Sequence, residues 1–510
     1  MQKIVDANDQ LRKGAILSYV VMGIGYLMSI VFTPFVLRIL GQSEYGLYSL
    51  VTSVIAYLSI LNFGFNSAYM RFYARLKVSN DDNKIAALNA LFLILFVIIG
   101  VLATSIGLIL INNAKTVFGN KLSLADLDKA ILMMKFLLIN VFFSFINTIF
   151  INYIVALERF VYQKMVQIIV AIVNPFLILP IIFLGFGSFG MVVVTTITNI
   201  IAVVCNFYYC RKVFDMRFAF KIIDLSLIRE ITIFSFFIFL YSIVKQINWN
   251  VDKLIVGHII GIDEVAIYTI AAQFNAYLIE ISMAISYVFI PRINKIIANN
   301  ENDAYLSELF IKVGRIQFAF VTLTILGFIV FGRTFINAWA GEQYDRSYVV
   351  SVILMLPMIL ILIQEVGVEI RKAKNQHKLP ALFMLLVAFF NVAITIPLTK
   401  IYGAAGSALA TSIAMIIYTV FNNHYYHHVV KLDIKHFWQE IIKMTKGLVV
   451  PVIFALSLIV FNFQTHSIWF LGLIVPFVIV YLLSMYRWGL NDYERQLFLN
   501  ERIRYLLFRK

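Results

Sequence analysis

The chain has 510 residues, of which 61% are hydrophobic and only 14% charged, with a formal net charge of +15. Soluble domains carry about 25% charged residues, and a mean hydropathy of +0.88 excludes one here. The basic balance does not point to nucleic acid, because Lys and Arg lie in short segments between long apolar runs, where membrane topology places them.

A helix needs about 20 apolar residues to cross the hydrocarbon. Runs of that kind fall near 14–40, 47–70, 85–111, 131–157, 161–185 and 189–210, then near 227–257, 266–290, 309–332, 348–370, 380–399 and 404–426. Two more follow near 446–463 and 467–486. The runs are continuous rather than alternating, so the expected fold is an all-α integral membrane protein with about fourteen transmembrane helices, not a barrel. The first run follows Arg12 and Lys13 and is too long for a signal-peptide core, so it is expected as a retained helix. Cys205 and Cys210 share one apolar segment and offer no disulfide framework or metal spacing.

With the N-terminus cytoplasmic, the inside segments hold 32 of the 42 Lys and Arg, and the outside turns seven. Those seven are Arg38, Lys115, Lys121, Lys129, Arg333, Arg346 and Lys400. The asymmetry predicts both termini on the cytoplasmic side. From Arg487 onward Trp488, Leu497, Phe498, Ile503, Leu506 and Leu507 mix with basic residues, as in an amphipathic helix on an anionic leaflet.

The chain repeats itself. Gly41-Gln-Ser-Glu-Tyr-Gly-Leu-Tyr-Ser-Leu50 returns 220 residues later as Gly261-Ile-Asp-Glu-Val-Ala-Ile-Tyr-Thr-Ile270, with Gly, Glu and Tyr in register. Asn174-Pro-Phe-Leu-Ile-Leu-Pro180 returns as Asn391-Val-Ala-Ile-Thr-Ile-Pro397. One residue is then lost, and Gly187-Ser-Phe-Gly190 matches Gly403-Ala-Ala-Gly406. Six spans per copy is even, so the copies share one orientation and a cavity is expected between them. The predicted organisation is an N-lobe at 1–220 (spans 1–6), a C-lobe at 221–430 (spans 7–12), and a third segment at 431–510 holding two extra spans and the basic tail. The prolines and small residues bend helices or let them pack closely.

No HExxH, Walker or dinucleotide motif occurs, so neither an enzyme nor a cofactor or metal site is expected. His424, His427 and His428 have helical spacing, but they lie in an aromatic and polar belt at a span end. The seventh span carries the main candidate site. Tyr241, Ser242, Lys245, Asn248, Trp249, Asp252 and Lys253 fall within an arc of about 140° at 100° per residue. A charge at a lipid-facing helix centre costs about 2.5–3.5 kcal/mol, so the stripe should face the interior or a watery cavity. Asp252 and Lys253 also fit an internal pair, whereas Lys245 has no acid on its own face and suits an anionic substrate. Asn140, Ser144 and Asn147, like Asn62 and Asn66, suit hydrogen bonding between helices. Glu369 can pair with Lys372, leaving Glu365 and, in the eighth span, Glu280 as candidates for proton coupling. Glu44 and Glu264 are expected at gate contacts or turn caps, with Arg71 an additional candidate for substrate.

With Gly41–Leu50, Leu61-Asn-Phe-Gly64 and Arg71 in hand, the whole chain resembles the polysaccharide-biosynthesis branch of the multidrug/oligosaccharidyl-lipid/polysaccharide exporter superfamily. Asp252, Lys253, Gly257 and Gly261 match its second-lobe pattern, while Asn62 stands where the family often carries an acid. The resemblance implies two six-helix lobes plus two C-terminal helices. It also implies a flippase for undecaprenyl-diphosphate-linked oligosaccharides in a bacterial inner membrane, with a polymerase and glycosyltransferases of the same pathway as partners. Rival readings are a cation-coupled multidrug exporter, a lipid-linked peptidoglycan precursor flippase, a membrane glycosyltransferase or polymerase, and a non-transporting scaffold.

Overall fold

Backbone groups in hydrocarbon must be satisfied within their own segment, and long apolar runs therefore fold as helices. The computed structural model describes residues 2–62, 64–78, 81–222, 230–232, 235, 250–299, 302–374, 376, 378–460, 470–492 and 494–495. Among them there is no strand. Among the described residues ten helices are long and apolar enough to cross a membrane, or up to twelve if each of two bent pairs is one span. One of the ten, Phe160–Val213, contains both the fifth and the sixth expected spans, and most of the seventh lies outside the described residues. The architecture is thus compatible with fourteen.

The chain forms two compact units, Met1–Ala266 and Ile267–Lys510. The first contains α1 (Gln2–Leu40), α2 (Gln42–Ala56), α3 (Phe65–Val78), α4 (Asp82–Asn112), α5 (Ala114–Phe118), α6 (Leu124–Ala156), α7 (Phe160–Ile181) and α8 (Gly187–Tyr208). A helix over residues 250–259, α9, and the first turn of α10 (Ile262–Tyr287) complete it. Its core is aromatic and aliphatic: α6 packs on α4 and α8 through Phe92, Phe96, Met133, Leu138 and Val192, all buried. α1 lies along α7, and their other faces stay apolar and exposed (Leu27, Val31, Phe35, Ile169, Phe176), as lipid contact requires.

The second unit continues α10 and adds α11 (Ile290–Ala298), α12 (Asp303–Trp339), α13 (Arg346–Met355), α14 (Met358–Leu362), α15 (Glu365–Ala373), α16 (Lys378–Tyr402), α17 (Ala404–Tyr425), α18 (Ile434–Thr445), α19 (Val449–Val460) and α20 (Phe470–Ser484). The 37 residues of α12 make a helix about 55 Å long at 1.5 Å per residue, well beyond the about 30 Å of a hydrocarbon core. Its N-terminal part therefore projects past the hydrocarbon. There α18 buries Ile434, Phe437, Ile441 and Met444, one amphipathic stripe, with Phe437 stacked on Phe310 at 4.5 Å. The expected tail helix lies outside the described residues beyond Arg495.

The repeat is visible in backbone detail. Gly41 (φ +78°) and Gly261 (φ +132°) both end one helix and start the next in conformations open mainly to glycine. Gly187 (φ +56°) and Gly403 (φ +61°) do so for α8 and α17. The residue lost between copies is accounted for locally. The first copy breaks its helix at Gly185 (φ +88°), within Ile182–Phe186, where the second stays α-helical to Tyr402. Beyond it the register holds at an offset of 216: Asn206 and Asn422, Cys210 and Tyr426, and Met216 and Leu432 are all buried. Asp215 and Lys431, at the same offset, both exit with positive φ.

Candidate functional site

The two copies of the signature meet in the first unit. The Ser43 hydroxyl donates to the Asp263 carboxylate, and Gln42 Nε2 donates to the Asp263 carbonyl at 3.1 Å. Gly46 sits so close that a Cβ there would lie 2.0 Å from the Ile262 carbonyl oxygen. The first turns of α2 and α10 therefore cross in contact, and only glycine fits at position 46. Glu44 binds in a different direction. Its Oε1 accepts from Lys129 Nζ at 2.5 Å and from both the amide and hydroxyl of Ser188 at 2.8 Å. One carboxylate thus ties the starts of α2, α6 and α8, and its negative charge lies at the N-terminal turn of α8, where the helix dipole favours it. Glu264 is buried in the first turn of α10.

The second expected span is broken. After Ala56 the chain tightens into a 3-10 turn, Tyr57–Asn62, then passes Gly64 at φ +70° and restarts as α3. The Leu61-Asn-Phe-Gly64 motif stands at this break. The Tyr57 hydroxyl and the Asn62 side-chain carbonyl are buried there and make no hydrogen bond among the described residues. Asp252 of α9, 2% exposed, lies within electrostatic reach of Tyr57. Lys253 beside it is half-buried, and Arg71 is exposed on α3. Tyr241, Ser242, Lys245, Asn248 and Trp249 lie outside the described residues.

A cavity of about 600 Å³ opens among α1, α2, α6, α7 and α8, wholly within the first unit. None of its lining side chains is charged. Its polar groups come chiefly from Asn147, Gln163, Gln167, Asn174 and Asn206, with tyrosine and hydroxyl side chains between them. Beside it runs a ladder of interhelical hydrogen bonds. Asn199 reaches Asn140 Oδ1 at 3.2 Å and Ser144 at 2.9 Å, and Asn206 donates to Asn147 at 2.9 Å. Asn152 donates to Asn66 at 3.1 Å. The fourth-span asparagines and Ser144 are thus placed in helix–helix bonding.

In the second unit, α14 and α15 meet at a 47° bend that buries Glu365 in the first turn of α15. Glu369 pairs with Lys372 at 2.6 Å, while Glu280 is exposed on α10. The three histidines cluster at the end of α17 with ring centroids 4.3 and 4.8 Å apart. No group of residues suited to a metal occurs among those described.

Two buried arginines were not singled out from the sequence, where both count as basic residues of inside segments. Arg371 is 7% exposed and donates to Asn422 at 2.6 Å and Tyr418 at 3.0 Å. Arg315 uses all five N–H donors: on both Glu494 oxygens, the Glu440 carboxylate and carbonyl, and the Gly489 carbonyl, at 2.6–3.1 Å. The available signal was the apolar run around Arg315, which places it inside a helix.

Comparison with known proteins follows the geometry. A Shigella flexneri protein named "Putative O-antigen transporter" is 22% identical over 399 residues, covering 77% of this chain and 91% of its own length. A structure titled "Lipid II flippase MurJ, inward closed conformation" superposes with a TM-score of 0.74 at 17% identity, covering 95% of this chain and 99% of its own. An inward-facing multidrug resistance MATE transporter of the MOP superfamily superposes with a TM-score of 0.64 at 14% identity, covering 82% and 99%. These structural likenesses establish a MurJ- and MATE-like fold. Residues 11–297, more than half of the chain, match the family described as "Polysaccharide biosynthesis protein", and the chain belongs to that family.

Proposed function

We propose that this protein is a flippase that moves a polyprenyl-diphosphate-linked oligosaccharide from the inner to the outer leaflet of a bacterial cell membrane, for assembly of a surface polysaccharide such as O-antigen or capsule. The observation that carries the reading is the family match over residues 11–297. The name of the Shigella relative supports it.

In this reading the lobes at 1–220 and 221–430 alternate access to an undecaprenyl-diphosphate head group, and the extra spans within 431–510 receive the lipid tail. Both termini are cytoplasmic. No covalent bond changes, so the protein is not an enzyme; its work is to replace the water around an anionic diphosphate. Lys245 neutralises that charge in a low-dielectric cavity, where it counts for more than in water. Tyr241, Asn248, Trp249, Asp252, Lys253 and Arg71 complete the surroundings. Glu365 and Glu280 are the groups for proton coupling. The junction of Ser43, Glu44, Asp263 and Glu264 serves as the outer gate.

The test is reconstitution of the full chain in liposomes with a fluorescent undecaprenyl-diphosphate oligosaccharide, scored by its exposure to an external quencher. Wild-type protein should translocate it, and Lys245→Ala should slow it about tenfold or more, a loss of about 1.4 kcal/mol or more of transition-state stabilisation. Wild-type protein that moves none of this lipid overturns the reading.

A further inference from the structure

The cavity of the first unit has a chemistry different from that of an anion site. Its lining holds five carboxamides and no charge of either sign. The lining itself offers no counter-charge to a phosphate or a cationic drug, although Lys164 reaches Gln167 from outside the lining at 3.3 Å. Gln163, Gln167 and Asn174 are spaced i, i+4 and i+11 along α7, so they share an arc of about 40° and cover about 16 Å of helix. They form one polar stripe facing one space.

The hydrogen bonding of these amides is half used. Asn174 Oδ1 accepts from Thr198 at 2.7 Å, Gln167 Oε1 from Lys164 at 3.3 Å, and Asn147 Oδ1 from Asn206 at 2.9 Å. In each case the carbonyl is held by a neighbouring side chain, and the amide donors of Asn174, Gln167 and Asn147 remain unused among the described residues. The Gln163 amide makes no side-chain hydrogen bond at all among the described residues. A carboxamide offers two donors and two acceptor lone pairs. Anchoring one end fixes its plane and leaves the other for a guest. Sugar hydroxyls, each donor and acceptor, are matched to such groups, and Tyr48 lines the same space. The volume of about 600 Å³ lies in the usual range for ligand pockets, about 300–1,000 Å³.

We propose that this cavity is a subsite for the uncharged sugar residues of the transported glycan, separate from the position of the diphosphate. The proposal rests on the flippase reading and names a second recognition element within it.

The test compares wild-type protein with the double variant Gln167→Leu, Asn174→Leu in liposomes. Thr198 also bonds the Val194 carbonyl at 3.0 Å, so it keeps a partner when Asn174 is replaced. Two probes are used: undecaprenyl diphosphate bearing a neutral tetrasaccharide, and the same lipid bearing one sugar. The variant should move the tetrasaccharide lipid about tenfold more slowly and the single-sugar lipid within about twofold of wild type. Equal slowing of both, or of neither, overturns the proposal. Saturation-transfer NMR with the free tetrasaccharide gives a readout independent of transport. Wild-type protein should transfer saturation to it and the variant should not; no transfer from wild type also overturns the proposal. Binding of the free sugar without transport of either lipid would reject the flippase reading and uphold the sugar site.

Discussion

Glu494 closes on Arg315 with both carboxylate oxygens, Oε1 2.6 Å from Nε and Oε2 2.8 Å from Nη2. Both residues are almost wholly buried. The pair fastens the chain beyond α20 to α12, and Glu440 joins it from α18. Stranding a buried charge outright costs about 3–5 kcal/mol; removal of Glu494 leaves Arg315 with Glu440 at 3.1 Å and should cost less than that. Glu494→Ala is therefore expected to lower the melting temperature of the purified protein. Arg315→Met combined with Glu494→Leu should melt closer to wild type than either single variant. A single variant that melts like wild type would show that the tail is not fastened this way.

The contact of Ser43 with Asp263 joins the two copies of the signature, and the proposed gate would part there in each cycle. Ser43→Cys with Asp263→Cys should cross-link under oxidation and stop lipid translocation, with activity restored by reductant. Translocation that survives complete cross-linking would remove this junction from the gating movement. Gly46→Val, which forces a side chain against the Ile262 carbonyl, should pry the same crossing apart and lower thermal stability.

Glu44 holds three helix starts with a single oxygen. Charge-assisted hydrogen bonds contribute about 1.5–3 kcal/mol each, so Glu44→Ala should destabilise by an amount of that order. Glu44→Gln keeps an acceptor for Ser188 and should lose less. Thermal melting of the two variants checks the order.

Asp345 lies between α12 and α13 and accepts from Arg333 at 2.7 and 2.8 Å. The guanidinium holds its carboxyl below the ordinary value of 3.8. Because the folded value is depressed, the contribution is present above the unfolded value and is lost as pH falls through the folded one. The melting temperature should fall with acidification below about pH 4 by less in Asp345→Asn than in wild type. Identical acid profiles would deny the pair any share.

The helical class, the span positions and the repeat were legible in the sequence because each rests on composition or on residues with a strict local role. Gly41 and Gly261 are required by their backbone angles, and Gly187 and Gly403 likewise. Glu369 and Lys372 were legible because helical spacing alone brings them together. The partners of Glu44 were not: Lys129 and Ser188 are 85 and 144 residues away, and no local pattern encodes that meeting. Arg315 and Arg371 were hidden by the assumption that a basic residue near a span end is solvated, whereas long-range carboxylates and amides let both be buried. Helical spacing alone puts Gln163, Gln167 and Asn174 on one face of α7, whereas Asn147 of α6 and Asn206 of α8 join them only through packing.

The extra residue of the first copy sits at the kink around Gly185, between α7 and α8. An extra residue placed inside a helix would rotate everything after it by about 100° and turn the buried face outward. Here the surplus is spent at the hairpin tip, so α8 and α17 remain interchangeable pieces. Exchanging residues 187–216 for 403–432 should preserve which positions point inward, while replacing Ser188 and Asn199 by Ala and Met and so removing their side-chain hydrogen bonds to Glu44 and Asn140. The hairpin tip is thus where the two copies differ in length without either helix changing its inward face.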